Sequence, residues 1–332
     1  MRVGVYYSNS DVRVEERPKP EIKPGEFLMR VMASGICGSD VLEWYRIKTA
    51  PRVLGHEATG EIAEVGAGVG FKVGERVFVS HHVPCNRCEY CRSGHHTACD
   101  TLHKTNYDPG GFSEYVRVPG INVRSGVYRL PKNLSYEEGT FIEPLACVLR
   151  GQRMARVGRG DRVLVLGAGI SGMLHIMNAR RLGAKVAATD ISGYRLRMAG
   201  KFGAEEVYDA RKFNPEEHKS DRVIVATGAE SAAQQALKAV DRGGTILYFA
   251  VPKPGVTLPV PINDFWRNEI TVLTSYGAGP ADLEESLKVL AKGKLDVGGM
   301  ITHRLPLDRI GEGFKLVAEA DKSLKVIIQP NR

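Results

Sequence analysis

Four cysteines crowd into "CNRCEYCRSGHHTAC", at Cys85, Cys88, Cys91 and Cys99, in C-x2-C-x2-C-x7-C spacing. Four thiolates so placed can close a tetrahedral zinc site with no position left open for a reacting molecule. An iron–sulfur cluster satisfies the same thiol count, although nothing else in the chain suggests an electron-transfer partner. His95 and His96 lie inside the loop and read as surface residues. A second set is scattered: Cys37 in "GICGSD", His56 and Glu57 in "LGHEATGEI", and Glu143 in "FIEPLAC". Together they supply one thiolate, one imidazole and two carboxylates. That set suits zinc and leaves room for a water or a substrate oxygen. Cys147 follows Glu143 by four residues and is a rival ligand, but it reads as a small buried hydrophobe.

A third set is built for phosphate. "RVLVLGAGISGMLHIM" holds Gly167, Gly169 and Gly172 in G-x-G-x-x-G spacing, after an apolar strand and at the opening of a helical pattern. Asp190 ends the next strand, eighteen residues beyond Gly172. The glycines alone are a weak signal; with that context they form the dinucleotide-binding fingerprint. Gly167 allows the tight turn, Gly169 lets backbone approach a pyrophosphate, and Gly172 allows helix to pack on strand. Ile170 and Ser171 then start a helix whose amino terminus favours phosphate charge. A carboxylate at Asp190 accepts from both adenosine ribose hydroxyls and repels a 2′-phosphate, which favours NAD over NADP. Ser192 and Arg195 lie close enough in sequence to accommodate that phosphate or to flank the adenine.

These residues need elements to hold them. Residues 1–146 read as β-rich, with "VRVEE", "EFLMRVMAS", "GEIAEVG" and "ERVFVS" cut by Pro and Gly. From residue 147 the pattern changes: "RVLVLG", "KVAATD", "DRVIVATG", "TILYFAV" and "ITVLTS" are short apolar strands, most of them separated by helical periodicity. Such alternation implies a parallel sheet covered on both faces. After residue 277 it stops; "ADLEESLKVLAKGKL" places Leu283, Leu287, Leu290 and Ala291 on one helical face, and the tail ends in "LKVIIQP".

Composition narrows the class further. The chain has 332 residues, 43% hydrophobic and 25% charged, enough for two ordinary domains. The amino terminus lacks the apolar core of a secretion signal, and no apolar run is long enough for a membrane span. The expected compartment is the cytoplasm, where clustered thiols bind metal more often than they pair. The net charge of +8 raises nucleic acid as a partner. The basic residues are nonetheless scattered, apart from Arg153, Arg156, Arg159 and Arg162.

In their order along the chain, "CGSD", "GHEATGEI", the four-cysteine lobe, "GGFSEYV", "EPLAC", "GAGISG" and the Asp190 strand end resemble the zinc-containing medium-chain dehydrogenase/reductase family. The sorbitol and threonine dehydrogenase branch is the nearest in character, and the resemblance runs over essentially the whole length. It implies an α/β fold: a GroES-like β-barrel catalytic domain from residues 1–146 and 278–332, and a Rossmann domain from 147–277 with its doubly wound parallel sheet. It places the active site in the cleft between them. Cys37 and His56 match ligands of a catalytic zinc, and Glu57 a residue that ligates it in some members. Glu143 matches a carboxylate that binds that zinc directly or through water. Asp40 matches the carboxylate that orients the ligand histidine, and Ser39 the hydroxyl that hydrogen-bonds the substrate oxygen and takes its proton. Cys85, Cys88, Cys91 and Cys99 match a structural zinc. Many members carry a histidine five residues after the ligand cysteine as the outer end of the proton relay; this chain has Leu42 there.

The resemblance implies oxidation of a secondary alcohol, such as a polyol, sugar or cyclitol, to a ketone with NAD, or the reverse. It also implies a homo-oligomer, tetramer or dimer, with no nucleic-acid or membrane partner. Trp44, Tyr45, Tyr107 and Tyr276 are candidates to line the pocket. Two alternatives stand beside this reading: a zinc dehydrogenase of primary alcohols or formaldehyde, and a basic zinc-ribbon protein that binds nucleic acid.

Overall fold

A computed structural model describes all residues 1–332, and its chain divides into two compact units, Met1–Ala146 with Ala278–Arg332, and Cys147–Gly277. No helix is long and apolar enough to cross a membrane.

The first unit is organised by strand Phe27–Gly35, whose residues are nearly all buried. Along one edge it pairs antiparallel with Glu57–Val65, which pairs onward with Arg76–Ser80, and that strand with Val127–Arg129. Its other edge is shared. The first half takes Tyr115–Val118, and Ser34 and Gly35 take Ile328 and Ile327 of the last strand, Lys325–Gln329. Ile301–Pro306 then runs parallel to that last strand. The interior is filled by Phe27, Met29, Val31, Ile62, Val77 and Val79 with their neighbours. A three-stranded sheet of Asp11–Glu16, Arg2–Ser8 and Arg52–Val53 accompanies it.

The second unit is a six-stranded, wholly parallel sheet. Its spatial order is Glu206–Asp209, Lys185–Asp190, Arg162–Leu166, Ser220–Val225, Val240–Tyr248, Thr271–Thr274. Numbered along the chain this is 3-2-1-4-5-6, the doubly wound order whose direction reverses between the first strand and the fourth. Val163, Leu164, Val165 and Leu166 are fully or almost fully buried, as expected of a central strand with helices on its faces. Helices Ile170–Arg181, Gly193–Lys201 and Glu230–Ala239 make crossovers. Sequence periodicity did not reveal strand Glu206–Asp209, which is short and carries acidic residues at both ends. Within the basic cluster Arg162 is paired, donating to both Asp221 and Asp241 at 2.7 Å.

Candidate active site

Strand register gathers the scattered set. Gly35 lies opposite Glu57, and Glu57 opposite Ser80. Segments attached at that level are thereby brought together: Cys37 just past Gly35, His56 just before Glu57, and His81 just after Ser80. Ligand atoms of Cys37, His56 and Glu57 all lie within 4.8 Å of one another.

Each of the three is held by neighbours. Cys37 caps the short turn Gly38–Val41: the Ser39 N–H donates to Cys37 Sγ at 3.4 Å, and the Cys37 N–H donates to Asp40 Oδ2 at 3.1 Å. Asp40 is fully buried, with Oδ1 facing His56 Nδ1 at 3.4 Å. That contact occupies Nδ1 and leaves Nε2 for a metal. Burial pushes the Asp40 carboxyl up, but the neighbouring His56 and Arg46 charges outweigh it and bring its pKa below the ordinary value. Burial likewise pushes His56 down, and the charges of Asp40 and Cys37 raise it well above normal.

Glu57 and Lys325 are both 0% exposed and form an ion pair through Glu57 Oε2. A side chain at Gly35 would run into both partners, so glycine is what lets this pair sit there. The other oxygen, Glu57 Oε1, is buried with no hydrogen-bond partner. Buried polar atoms are almost always satisfied, and in a group with a thiol and an imidazole this oxygen is one that a cation would satisfy. The donor set therefore fits zinc. Glu143 stands outside the 4.8 Å group, half-buried in the first turn of helix Ile142–Met154. Its charge reaches Tyr107, as do those of Asp40 and Glu57. Tyr107 is core rather than pocket wall, and its hydroxyl donates to the Gly55 carbonyl at 3.3 Å beside His56. Tyr45 and Tyr276 are exposed.

Four residues of this neighbourhood escaped sequence reasoning: Arg46, Lys325, His81 and His82. The His81 ring lies 4.9 Å from that of His56, and the His82 ring 3.9 Å from that of His81. Burial and nearby cations lower both, His82 to about 4, so both are neutral near pH 7. The "SHHV" run at the end of an apolar strand was a signal that could have found the two histidines. Lys325 offered only the oddity of a lysine in an otherwise apolar final strand.

The four-cysteine lobe is compact. All four sulfurs lie within 4.8 Å of one another, with Cys88 and Cys91 at 3.5 Å and Cys85 and Cys91 at 4.0 Å. A tetrahedron with zinc–sulfur arms of about 2.3 Å has edges of roughly 3.8 Å, so these thiols also fit a zinc ion. Backbone N–H groups of Cys85 and Cys88 donate to Cys99 Sγ and Cys85 Sγ at 3.4 and 3.3 Å. None of the six cysteines forms a disulfide.

In the second unit the glycine turn follows the first strand at the switch point. Gly167 has φ +95°, a conformation that side chains rarely adopt, and a Cβ there would lie 2.8 Å from Thr227 Cβ. A Cβ at Gly172 would collide with the Gly167 carbonyl. Gly169 caps helix Ile170–Arg181, so the Ile170 and Ser171 amides open it. Asp190 is buried and accepts from the Ala168 N–H at 2.8 Å and the Ser192 N–H at 2.9 Å, one on each oxygen. Each oxygen keeps a further acceptor position. Ser192 caps helix Gly193–Lys201, and the Arg195 guanidinium lies beside Gly169 with its Nε buried and unpartnered.

A glycine turn at the switch point of a doubly wound sheet, in a chain with two clusters whose donors fit zinc, is the arrangement of a zinc-dependent oxidoreductase. Residues 23–131 match the alcohol dehydrogenase GroES-like domain, and residues 171–292 match the zinc-binding dehydrogenase domain. The chain is 32% identical to a probable D-xylulose reductase A of Aspergillus clavatus, over 96% of this chain and 93% of that one. It is 31% identical to a sorbitol dehydrogenase of Bacillus subtilis, over 100% and 98%. A putative zinc-binding dehydrogenase of Sinorhizobium meliloti bound to NADP superposes with TM-score 0.88 at 27% identity, over 99% of both chains. A short chain alcohol dehydrogenase of Escherichia coli complexed with NADH does so with TM-score 0.88 at 25% identity, again over 99% of both. The chain belongs to the zinc-containing medium-chain dehydrogenase/reductase family, with a GroES-like domain and a Rossmann-type parallel sheet. A nucleic-acid-binding zinc ribbon would leave the second unit and the Cys37 cluster without a role.

Proposed function

We propose that this protein oxidises a secondary alcohol of the polyol, sugar or cyclitol class to the ketone, using NAD, and catalyses the reverse reduction. The observation that carries the reading is the Cys37, His56, Glu57 cluster with its unsatisfied Glu57 oxygen, supported by the sorbitol and xylulose relatives. Residues 1–146 and 278–332 act as the catalytic domain, and 147–277 as the nucleotide-binding domain.

Cys37, His56 and Glu57 would hold the catalytic zinc, with Glu143 as a further donor, directly or through water. When bound, zinc supplies Lewis acidity toward the substrate oxygen, and the nicotinamide exchanges hydride. Asp40 keeps the His56 ring in the tautomer and orientation that ligation requires. Lys325 neutralises the charge of Glu57. Ser39 hydrogen-bonds the substrate oxygen and handles its proton. Gly167, Gly169, Ile170, Ser171 and Gly172 receive the pyrophosphate at a helix amino terminus. Asp190, with acceptor positions left on both oxygens, binds the ribose hydroxyls and disfavours NADP, while Arg195 lies against the same turn. Cys85, Cys88, Cys91 and Cys99 hold a zinc that braces their lobe.

The edge strand Thr271–Thr274 leaves one side unpaired, beside Trp266 and Ile262, which are 76% and 71% exposed. An open strand edge next to exposed apolar side chains suits pairing with a second copy, so a dimer or a tetramer built on it follows. We place the protein in the cytoplasm, where clustered cysteines bind metal more often than they pair.

The test is a panel of polyols, sugars, cyclitols, simple secondary alcohols and primary alcohols, each offered with NAD and with NADP and followed by absorbance of the reduced cofactor. Turnover of secondary polyols with NAD is the expected outcome. Preference for primary alcohols or formaldehyde, or for NADP, would overturn the corresponding half of the reading.

A further inference from the structure

Leu42 leaves the proton path beyond Ser39 without a side chain to continue it, and the structure puts a different residue in contact with that hydroxyl. Two one-turn helices, Gly38–Val41 and Glu43–Arg46, fold the chain back on itself, with the Tyr45 and Arg46 N–H groups both donating to the Leu42 carbonyl at 2.9 and 3.0 Å. This returns the Arg46 guanidinium over Ser39. Its Nε donates to the Ser39 carbonyl at 2.9 Å. Its Nη2 donates to Ser39 Oγ at 3.0 Å and faces Asp40 Oδ1 at 3.3 Å. The guanidinium also lies over the Tyr45 ring, with Arg46 Cζ 4.7 Å from the ring centroid. The side chain is only 14% exposed.

A guanidinium has five donors, no acceptor, and stays protonated at any ordinary pH. At the Arg46–Ser39 bond, therefore, Ser39 Oγ must accept, and its one proton must point elsewhere. Asp40 Oδ1 is shared between Arg46 and the His56 ring. One side chain thus orders both the hydroxyl that handles the substrate proton and the carboxylate that aims His56.

Building on the dehydrogenase reading above, we propose that Arg46 is a positioning residue for proton transfer, one that orients Ser39 and ends the side-chain relay there. In alcohol oxidation the substrate C–H delivers hydride to NAD, and the substrate hydroxyl proton passes to Ser39 Oγ. Ser39 releases its own proton to water in the same exchange. The C–O bond becomes the carbonyl, and the products are ketone, NADH and one solvated proton. Neither Arg46 nor Leu42 can accept that proton, and Ser39 is only half-buried, so in this proposal the proton goes to water.

The experiment compares zinc-loaded wild-type protein with Arg46→Met and Arg46→Lys, using NAD and the best alcohol of the panel. With Arg46→Met, Ser39 is free to rotate, and kcat should fall by about tenfold to a hundredfold. NADH affinity, read by fluorescence, should hold within about twofold, since the nucleotide site is untouched. The solvent deuterium isotope effect on kcat should rise as proton transfer becomes limiting, and Arg46→Lys should recover part of the loss. The visible spectrum of the cobalt-substituted variant should also shift, because Asp40 Oδ1 loses one of its two partners and keeps only the His56 ring. A merely structural Arg46 would lower thermal stability and leave the isotope effect alone. Zinc-replete Arg46→Met with wild-type kcat and isotope effect would overturn the proposal. Should that variant not fold or not retain zinc, Arg46→Lys decides: one ammonium cannot reproduce the forked contacts, so an unchanged kcat and isotope effect there overturns it equally. Wild-type protein that oxidises no alcohol sinks the dehydrogenase reading itself; wild-type turnover insensitive to residue 46 sinks this inference alone.

Discussion

The chain contains two clusters of side chains that can hold a metal, assembled in opposite ways. In the lobe, Cys85, Cys88, Cys91 and Cys99 lie within one short segment, and two backbone N–H groups of that segment donate to its sulfurs. In the other cluster, Cys37 and His56 come from different strand ends, and Glu57 is countered by a lysine 268 residues away. Four like thiolates fill a tetrahedron and leave nothing to react. A thiol, an imidazole and a carboxylate with an unsatisfied oxygen leave a position open. Under the proposed function the conspicuous motif is a scaffold, whereas the dispersed cluster is brought together by strand register.

That contrast can be broken by substitution. Cys37→Ser should have the largest effect on activity. Outer partners of a metal ligand are worth about tenfold to a hundredfold, so losing a direct ligand should cost more than about a hundredfold in turnover. Zinc analysis should fall by one ion per chain while NADH binding, followed by fluorescence, is retained; full activity would refute the assignment. Lys325→Met comes next. It strands a buried carboxylate, and the expected loss is about 3–5 kcal/mol in urea unfolding. The double variant Glu57→Gln with Lys325→Met should regain much of that stability but not the activity. If the single variant unfolds like wild type, the buried pair does not hold the site together. Cys91→Ser should have the smallest effect on chemistry. Loss of the lobe zinc should lower the melting temperature, while kcat stays within about tenfold because that metal has no open position. A larger fall in kcat at a temperature where the variant is folded would mean that the lobe takes part in the reaction.

Much of this was legible beforehand because the signals are local. The glycine spacing, the preceding apolar strand and Asp190 sit within one βαβ unit, and the alternation of strand and helix declares a parallel sheet. Strand Glu206–Asp209 was not legible, since its residues carry more charge than apolar pattern. Tyr107 looked like a pocket residue from its type and is core. Arg46 sits seven residues beyond Ser39, a spacing that becomes a contact only because two short helical turns double back.

Residue type and short-range spacing already carry the donor chemistry of the two clusters, the glycine turn and the two-part organisation, because each is written locally. Tertiary structure alone decided which ligands meet and what surrounds them. Gly35, Glu57 and Ser80 come level through pairings of three strands. Lys325 reaches Glu57 because the last strand takes the edge that Tyr115–Val118 leaves free. Long-range register depends on how every strand packs, and no short stretch of sequence encodes it.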